Sequence, residues 1–322
     1  AYHGLFKLNI AASTTEHLVK PDSPITSSTG STTDVDADAL RVPKFYNDLD
    51  ISMSTGMIYF TDTSYKFTRS ENRQEILDGA PRGRLLEYNP ETKEIQVLLC
   101  GLHFPNGVQF LSSGEDLIVN DLARFRVLKV NPAAVKAHAS QLLGSCKEDG
   151  SLSQVLTAAT ATVVGEEGTG NLYAEYGVDY FVPNMPGLVD NVRADTVVAT
   201  AGELADGDST GSNKSNYYLF GLGSKSTQPF SLLYFAYQST MLRDLIGKVL
   251  PMQLVEKLVP KYGLVLVSNE HGQIVSSLHD PTGEISLLSQ ADRHPITEDL
   301  WLGSHSEALA ILPAKYVPKS WE

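Results

Sequence analysis

An all-β fold assembled from β-propeller blades is what this sequence predicts, and two observations predict it. A two-strand unit ending in a fixed polar spacing occurs twice and then a third time more loosely, and a second hairpin type alternates with it. Internal repetition of this kind is the signature to seek before any single motif is trusted.

The first copy of the unit is Asn47-Asp48-Leu49-Asp50-Ile51-Ser52, a turn at Ser54-Thr55-Gly56, and a strand Met57-Ile58-Tyr59-Phe60 closing on Thr61-Asp62. The second is Asn106-Gly107-Val108-Gln109-Phe110-Leu111, a turn at Ser112-Ser113-Gly114-Glu115, and Leu117-Ile118-Val119 closing on Asn120-Asp121. Each places an Asn fifteen residues before an Asp. Short alternating runs around a Ser/Gly turn are what two antiparallel strands need, because side chains alternate faces and the turn requires an unhindered backbone. A looser third copy starts at Asp190-Asn191-Val192-Arg193. The second hairpin type runs from Gly83 to Asn89 and returns from Ile95 to Leu99, and a similar pattern is predicted from Gly272 through the turn Asp280-Pro281-Thr282-Gly283 to Leu288. Two hairpins make a four-stranded unit, and such units recurring every ~40 to 50 residues are propeller blades.

Between these units lie stretches rich in Ser, Thr, Asp, Gly, Ala or Glu at residues 12–40, 133–170 and 202–227. They lack the apolar periodicity of a core and are expected to loop outside the blade framework. One segment, residues 231–259, breaks the β pattern: Leu242, Leu245, Ile246 and Val249, then Leu254, Val255 and Leu258 after Pro251, recur at helical spacing and predict two short helices. The whole of 1–322 is expected to be one propeller domain.

Composition excludes several functions. A formal net charge of −13 without a Lys/Arg stripe opposes binding to phosphate backbones, so nucleic acid is not an expected partner. No run of about 18 consecutive apolar residues is present to span a bilayer. Two cysteines, Cys100 and Cys146, are too few for a disulfide framework, and their pattern leaves open whether they are free thiols. The zinc spacings HxxxH and CxxC do not occur.

The blocks Asn47-Asp48-Leu49, Ile58-Tyr59-Phe60-Thr61-Asp62-Thr63-Ser64, Gly83-Arg84-Leu85-Leu86-Glu87-Tyr88, Phe104-Pro105-Asn106-Gly107-Val108, Met185 to Asn191 and Ser277-Leu278-His279-Asp280-Pro281 follow one another in order. Together they resemble the strictosidine-synthase-like family that includes the adipocyte plasma membrane-associated proteins, relatives of the paraoxonase and gluconolactonase propellers. The resemblance implies a six-bladed propeller preceded by a signal-anchor helix. Because the chain opens without Met on Ala1-Tyr2-His3-Gly4-Leu5-Phe6, a motif that follows the first blade in that family, it implies a chain with about four of the six blades. The implied location is a membrane anchored through an N-terminal segment not in this sequence, with the propeller lumenal or extracellular. A glycosylation sequon at Asn213-Lys214-Ser215 agrees with that side.

Inner propeller strands converge on one axis, so the residues that open them meet. Asn47, Asn106 and the pair Asp190-Asn191 open such strands. Amide oxygens with one carboxylate form a hard set suited to Ca²⁺ and unsuited to Zn²⁺. Taken singly, Asn47 could close an Asx turn and Asn106-Gly107 is a common turn pair; their repeat-equivalent placement favours the metal. The resemblance implies the same ligands, together with a Glu upstream of this sequence, and it implies Asp48 as part of a second, structural calcium site. It also implies a calcium-dependent hydrolase of aryl esters or lactones, in which the cation polarises the scissile oxygen and Asp190 is nucleophile or activates water. The alternative is a membrane-anchored propeller that binds a partner without catalysis. Amine–aldehyde condensation is disfavoured, because the stretch Ser289 to Gly303 lacks the Glu-His-Asp-Gly motif used for it.

Overall fold

A computed structural model of the chain describes residues 3–21, 23–27, 42–146, 176–195, 217–225, 239, 241–242, 245–246, 261–305 and 309–321. The first strands, β1 (Leu5–Asn9) and β2 (Thr14–Val19), form an antiparallel hairpin. A two-residue strand β3 (Thr26–Ser27) then runs parallel to the outer edge of the first blade. That blade consists of β4 (Tyr46–Ile51), β5 (Ile58–Asp62), β6 (Gly83–Tyr88) and β7 (Ile95–Leu102). The second contains β8 (Pro105–Phe110), β9 (Leu117–Asp121), β10 (Arg126–Val130) and β11 (Val178–Val182). The third contains β12 (Gly187–Ala194), β13 (Tyr217–Lys225), β14 (Gly263–Asn269) and β15 (Ile274–Asp280), and the fourth β16 (Leu288–Arg293), β17 (Leu300–Ser304) and β18 (Ala310–Leu312). In every blade the spatial order of these strands is their chain order, and all their pairings are antiparallel.

The blades stack face to face. Their first strands adjoin in the order β4, β8, β12, β16, which makes these the inner strands of a four-bladed propeller arc. Because both faces of a blade are covered, the middle strands read as unbroken apolar runs: Leu264, Val265, Leu266 and Val267 are all buried, whereas the outer strand β15 is mostly exposed. Each core lies between successive sheets. Leu85, Leu98 and Leu99 of the first blade meet Leu117, Val119 and Leu128 of the second. Ile118 and Val127 of the second meet Val189, Val192 and Phe220 of the third, and Leu219, Val265 and Val267 of the third meet Leu288, Ala291 and Leu300 of the fourth. The turns joining the first two strands of the first and second blades hold Gly56 and Gly114 at φ +71° and +73°, a conformation only glycine adopts without strain.

Several expectations need correction. Part of the stretch 12–40 is strand rather than outward loop, because Thr14–Val19 finds a partner edge in β1. Within 202–227, Tyr217–Lys225 is a central blade strand whose apolar side chains are buried on both sides, so the insertion ends earlier than its composition suggests. Residues 132–146 form helix α1 (Pro132–Ala137), helix α2 (Ala139–Leu142) and a 3-10 turn. Cys146 in that turn is disulfide-bonded to Cys100 of β7, with Cα atoms 4.8 Å apart, so neither cysteine is a free thiol. The hairpin expected from Gly272 to Leu288 does not form, since β15 pairs with β14 and Leu288 opens the next blade. Of the helical segment, Met241, Leu242, Leu245 and Ile246 are helical, and most of the remainder lies outside the described residues, as does the sequon at Asn213. Among the described residues no helix is long and apolar enough to cross a membrane.

Candidate functional site at the start of the inner strands

The inner strands of the first three blades share a local irregularity. The pairing steps from Tyr46–Asp62 to Leu49–Phe60, from Pro105–Asp121 to Val108–Val119, and from Val189–Leu222 to Val192–Phe220. Each step sets two residues on the inner strand against one on its partner: Asn47-Asp48 against Thr61, Asn106-Gly107 against Asn120, and Asp190-Asn191 against Gly221. A bulge of this kind twists the strand and re-aims the side chains it carries. The polar residues singled out by the sequence repeat are therefore the bulge residues.

Successive bulges are bound to one another. Thr61 Oγ1 donates to the main-chain oxygen of Asn106 (2.7 Å), and Asn120 Nδ2 donates to that of Asp190 (2.6 Å). Asn47 Nδ2 donates to Thr63 Oγ1 (2.9 Å), which in turn donates to the Pro105 carbonyl (2.8 Å). The approach between the second and third blades leaves no room for a side chain at Gly107, where a Cβ would fall 2.6 Å from Val192 N and 2.7 Å from Asn191 Cα. Asn47, Asn106, Asp190 and Asn191 are thus held on consecutive inner strands, at one end of the arc.

The electrostatics of this end are unusual. Asn106 is 4% exposed, Asp190 5% and Asn120 0%. The side-chain oxygens of Asn106, Asn120 and Asn191 are buried without a hydrogen-bond partner among the described residues. An orphaned buried carbonyl costs about 1–3 kcal/mol, so these three, in or opposite adjoining bulges, leave acceptor capacity that a bound cation or a hydrogen-bond donor such as water would satisfy. Neutral amide oxygens beside one carboxylate fit a hard cation of the Ca²⁺ type. No group of three or more His, Cys, Asp and Glu side chains among the described residues is placed to hold a metal ion.

Asp48 is engaged by an ion pair. Arg193 binds it through both terminal nitrogens, at 2.7 and 2.8 Å, and Val108 N donates to it as well (3.1 Å). Its charge joins the inner strands of the first and third blades, because the bulge aims Asp48 at the neighbouring strand. Asp50, one alternation further on, accepts from Gln109 Nε2 and Phe110 N, both at 2.7 Å, and burial pushes its carboxyl above the usual range.

Two residues escape the sequence pattern. His305, just beyond β17, places Nε2 2.5 Å from Asp190 Oδ2, and this hydrogen bond raises the imidazole above its ordinary value. Arg69 and Arg73, in the connection between β5 and β6, oppose that shift. No local signal marks a histidine 115 positions from its partner. Asn120 is visible only as the end of a repeat copy. A cleft of about 800 Å³ lies at the opposite ends of these strands, among Ser52, Gly56, Asn89, Gly114 and Asn131, and contains none of the expected site residues.

The family model for strictosidine synthase matches residues 47–131, which hold the bulges at Asn47-Asp48 and Asn106-Gly107. The chain is similar to the adipocyte plasma membrane-associated proteins: it is 31% identical to that of Bos taurus over 305 residues, 94% of this chain and 57% of the bovine protein. It is 30% identical to that of Homo sapiens over 309 residues, covering 56% of the human protein. The chain therefore spans little more than half the length of these relatives. Over 85 residues it is 41% identical to strictosidine synthase-like 13 of Arabidopsis thaliana. Among solved structures, a protein assigned as a gluconolactonase superposes over 97% of this chain with a TM-score of 0.45 at 12% identity. The calcium-binding protein regucalcin from Agrobacterium tumefaciens superposes over 94% with a TM-score of 0.43 at 9% identity.

Proposed function

We propose that the chain belongs to a calcium-dependent hydrolase of aryl esters or lactones. The observation that carries this reading is the set of buried, unpartnered amide oxygens of Asn106 and Asn191 beside the carboxylate of Asp190. Asn47, Asn106, Asp190 and Asn191 would hold the ion. A Ca²⁺ ion bound there supplies a Lewis acid for the carbonyl oxygen of a substrate.

The chain's own residues provide the remaining chemistry. Asp190 is the one acid in the ligand set, and its carboxylate is the group available to attack an acyl carbon or to take a proton from water. His305 orients that carboxylate through Oδ2 and gives the pair a second site for the proton. Being half-exposed, His305 can exchange protons with solvent, whereas Asp190 is shielded from it.

The relatives named plasma membrane-associated support a membrane-associated protein. The Cys100–Cys146 disulfide supports a lumenal or extracellular propeller, because such bonds persist in oxidising compartments.

The test is hydrolysis of phenyl acetate and of a simple lactone by the full-length protein, with calcium and after exhaustive chelation. Chelation is expected to abolish turnover. Asp190→Asn keeps an oxygen and removes the charge, so kcat should fall by at least about 100-fold while the melting temperature changes little. Undiminished turnover after either treatment would leave a non-catalytic, partner-binding propeller as the better reading.

A further inference from the structure

We propose that Asn120 supplies a further oxygen to the same cation site, from the second strand of its blade and not from an inner strand. This inference rests on the calcium reading above. It starts from a comparison internal to the repeat. Thr61 and Asn120 occupy equivalent positions, each opposite a bulge, and each donates to the main-chain oxygen of the next bulge, at Asn106 and at Asp190 respectively.

Thr61 does this with a single atom. Its Oγ1 donates to the Asn106 carbonyl and also accepts from Asp48 N (3.2 Å), so its polar capacity is used within the strands. Asn120 does the same structural work with Nδ2 alone. Committing Nδ2 to the Asp190 carbonyl fixes the amide's orientation, so Oδ1 must point away from that carbonyl. That oxygen belongs to a fully buried side chain and has no hydrogen-bond partner among the described residues.

If joining two blades were the whole task, a hydroxyl would suffice, as it does at Thr61. The additional buried oxygen carries a desolvation cost that no described residue offsets. Its neighbours identify what would offset it. A Cβ added at Gly107 would lie 2.8 Å from Asn120 Nδ2 and 2.7 Å from Asn191 Cα, so the Asn120 amide sits against the strands that carry the orphaned oxygens of Asn106 and Asn191. Three neutral amide oxygens carried on these adjoining strands would all be satisfied by one hard cation.

The experiment is calorimetric titration of the full-length protein with CaCl₂, alongside Asn120→Thr, Asn120→Asp and Thr61→Val, with melting curves in chelator to show that each folds. Asn120→Thr retains a donor for the blade junction and deletes the amide oxygen; its Kd for calcium should rise about 10- to 100-fold. Asn120→Asp keeps an oxygen and adds charge but gives up the donor to the Asp190 carbonyl, so its Kd should rise less than that of Asn120→Thr. Thr61→Val breaks the equivalent junction one blade earlier and should leave Kd within about threefold. An unchanged Kd for Asn120→Thr, or equal weakening by Thr61→Val, would overturn the assignment while leaving the calcium reading intact. Absence of calcium binding by the parent protein would overturn both.

Discussion

Glu75 is a carboxylic acid held where its charge is costly, and the cost can be measured. It lies in the helix Asn72–Asp78, between β5 and β6 on the side of the arc that carries the candidate site, and is 2% exposed. Ser64 Oγ donates to its Oε2 (2.8 Å), Arg82 approaches only to 3.8 Å, and Oε1 has no hydrogen-bond partner among the described residues. Burial therefore outweighs the Ser64 bond and the Arg82 charge, and the carboxyl is pushed up to about 7. Between the ordinary value near 4.5 and about 7, the folded chain keeps a proton that the unfolded chain has released. Stability from this group is thus greatest at low pH and falls as pH rises through that window. Raising a carboxyl from 4.5 to about 7 corresponds to roughly 3 kcal/mol once the group is ionised. Glu75→Gln retains the acceptor for Ser64 and cannot ionise, so the variant should match the parent near pH 4.5 and exceed it by about 3 kcal/mol at about pH 8. With an unfolding entropy of about 2.1 cal/mol/K per residue, this is about 4 °C in Tm for a chain of 322 residues. Melting curves of both proteins from about pH 4.5 to about pH 8 provide the assay. A difference between them that does not change with pH would refute the reasoning.

Two further perturbations follow from the same structure. The Cys100–Cys146 bond closes a loop of 46 residues, so reducing it, or replacing both cysteines with Ala, should lower stability by up to about 4 kcal/mol; an unchanged Tm in reductant would show that the bond does not form in solution. Arg193→Met strands the largely buried Asp48 and should cost about 2 to 3 kcal/mol, with part of the loss restored when Asp48→Asn is added; strictly additive effects in that double-mutant cycle would mean the two blades are not coupled through the pair.

Much of the architecture is legible in the sequence because it is periodic. The strands around Asn47 and Asn106 follow from alternation and a Ser/Gly turn, and both hairpins form with the turns at the expected positions. The departures share a cause. Composition places Tyr217–Lys225 in an insertion because its Gly-Leu-Gly stretch lacks alternation, yet a strand covered on both faces needs none, and Gly221 is where the next blade's backbone approaches. The hairpin expected across Asp280-Pro281-Thr282-Gly283 has a suitable turn, but which strands pair on either side of a turn depends on which edges are free, and β14 occupies the edge of β15.

The site divides in the same way. Residue types at repeat-equivalent positions single out Asn47, Asn106, Asp190 and Asn191, which the structure places in the bulges of three successive inner strands. Asp48 sits beside Asn47 in sequence but is bound by Arg193, 145 residues away, and His305 reaches Asp190 across 115. The sequence by itself determined the blade repeat and the polar residues that open its inner strands, since both are local and periodic. Only the tertiary structure decided which of those groups are paired and which buried oxygens are left without partners, because hydrogen-bond satisfaction depends on neighbours that no local pattern records.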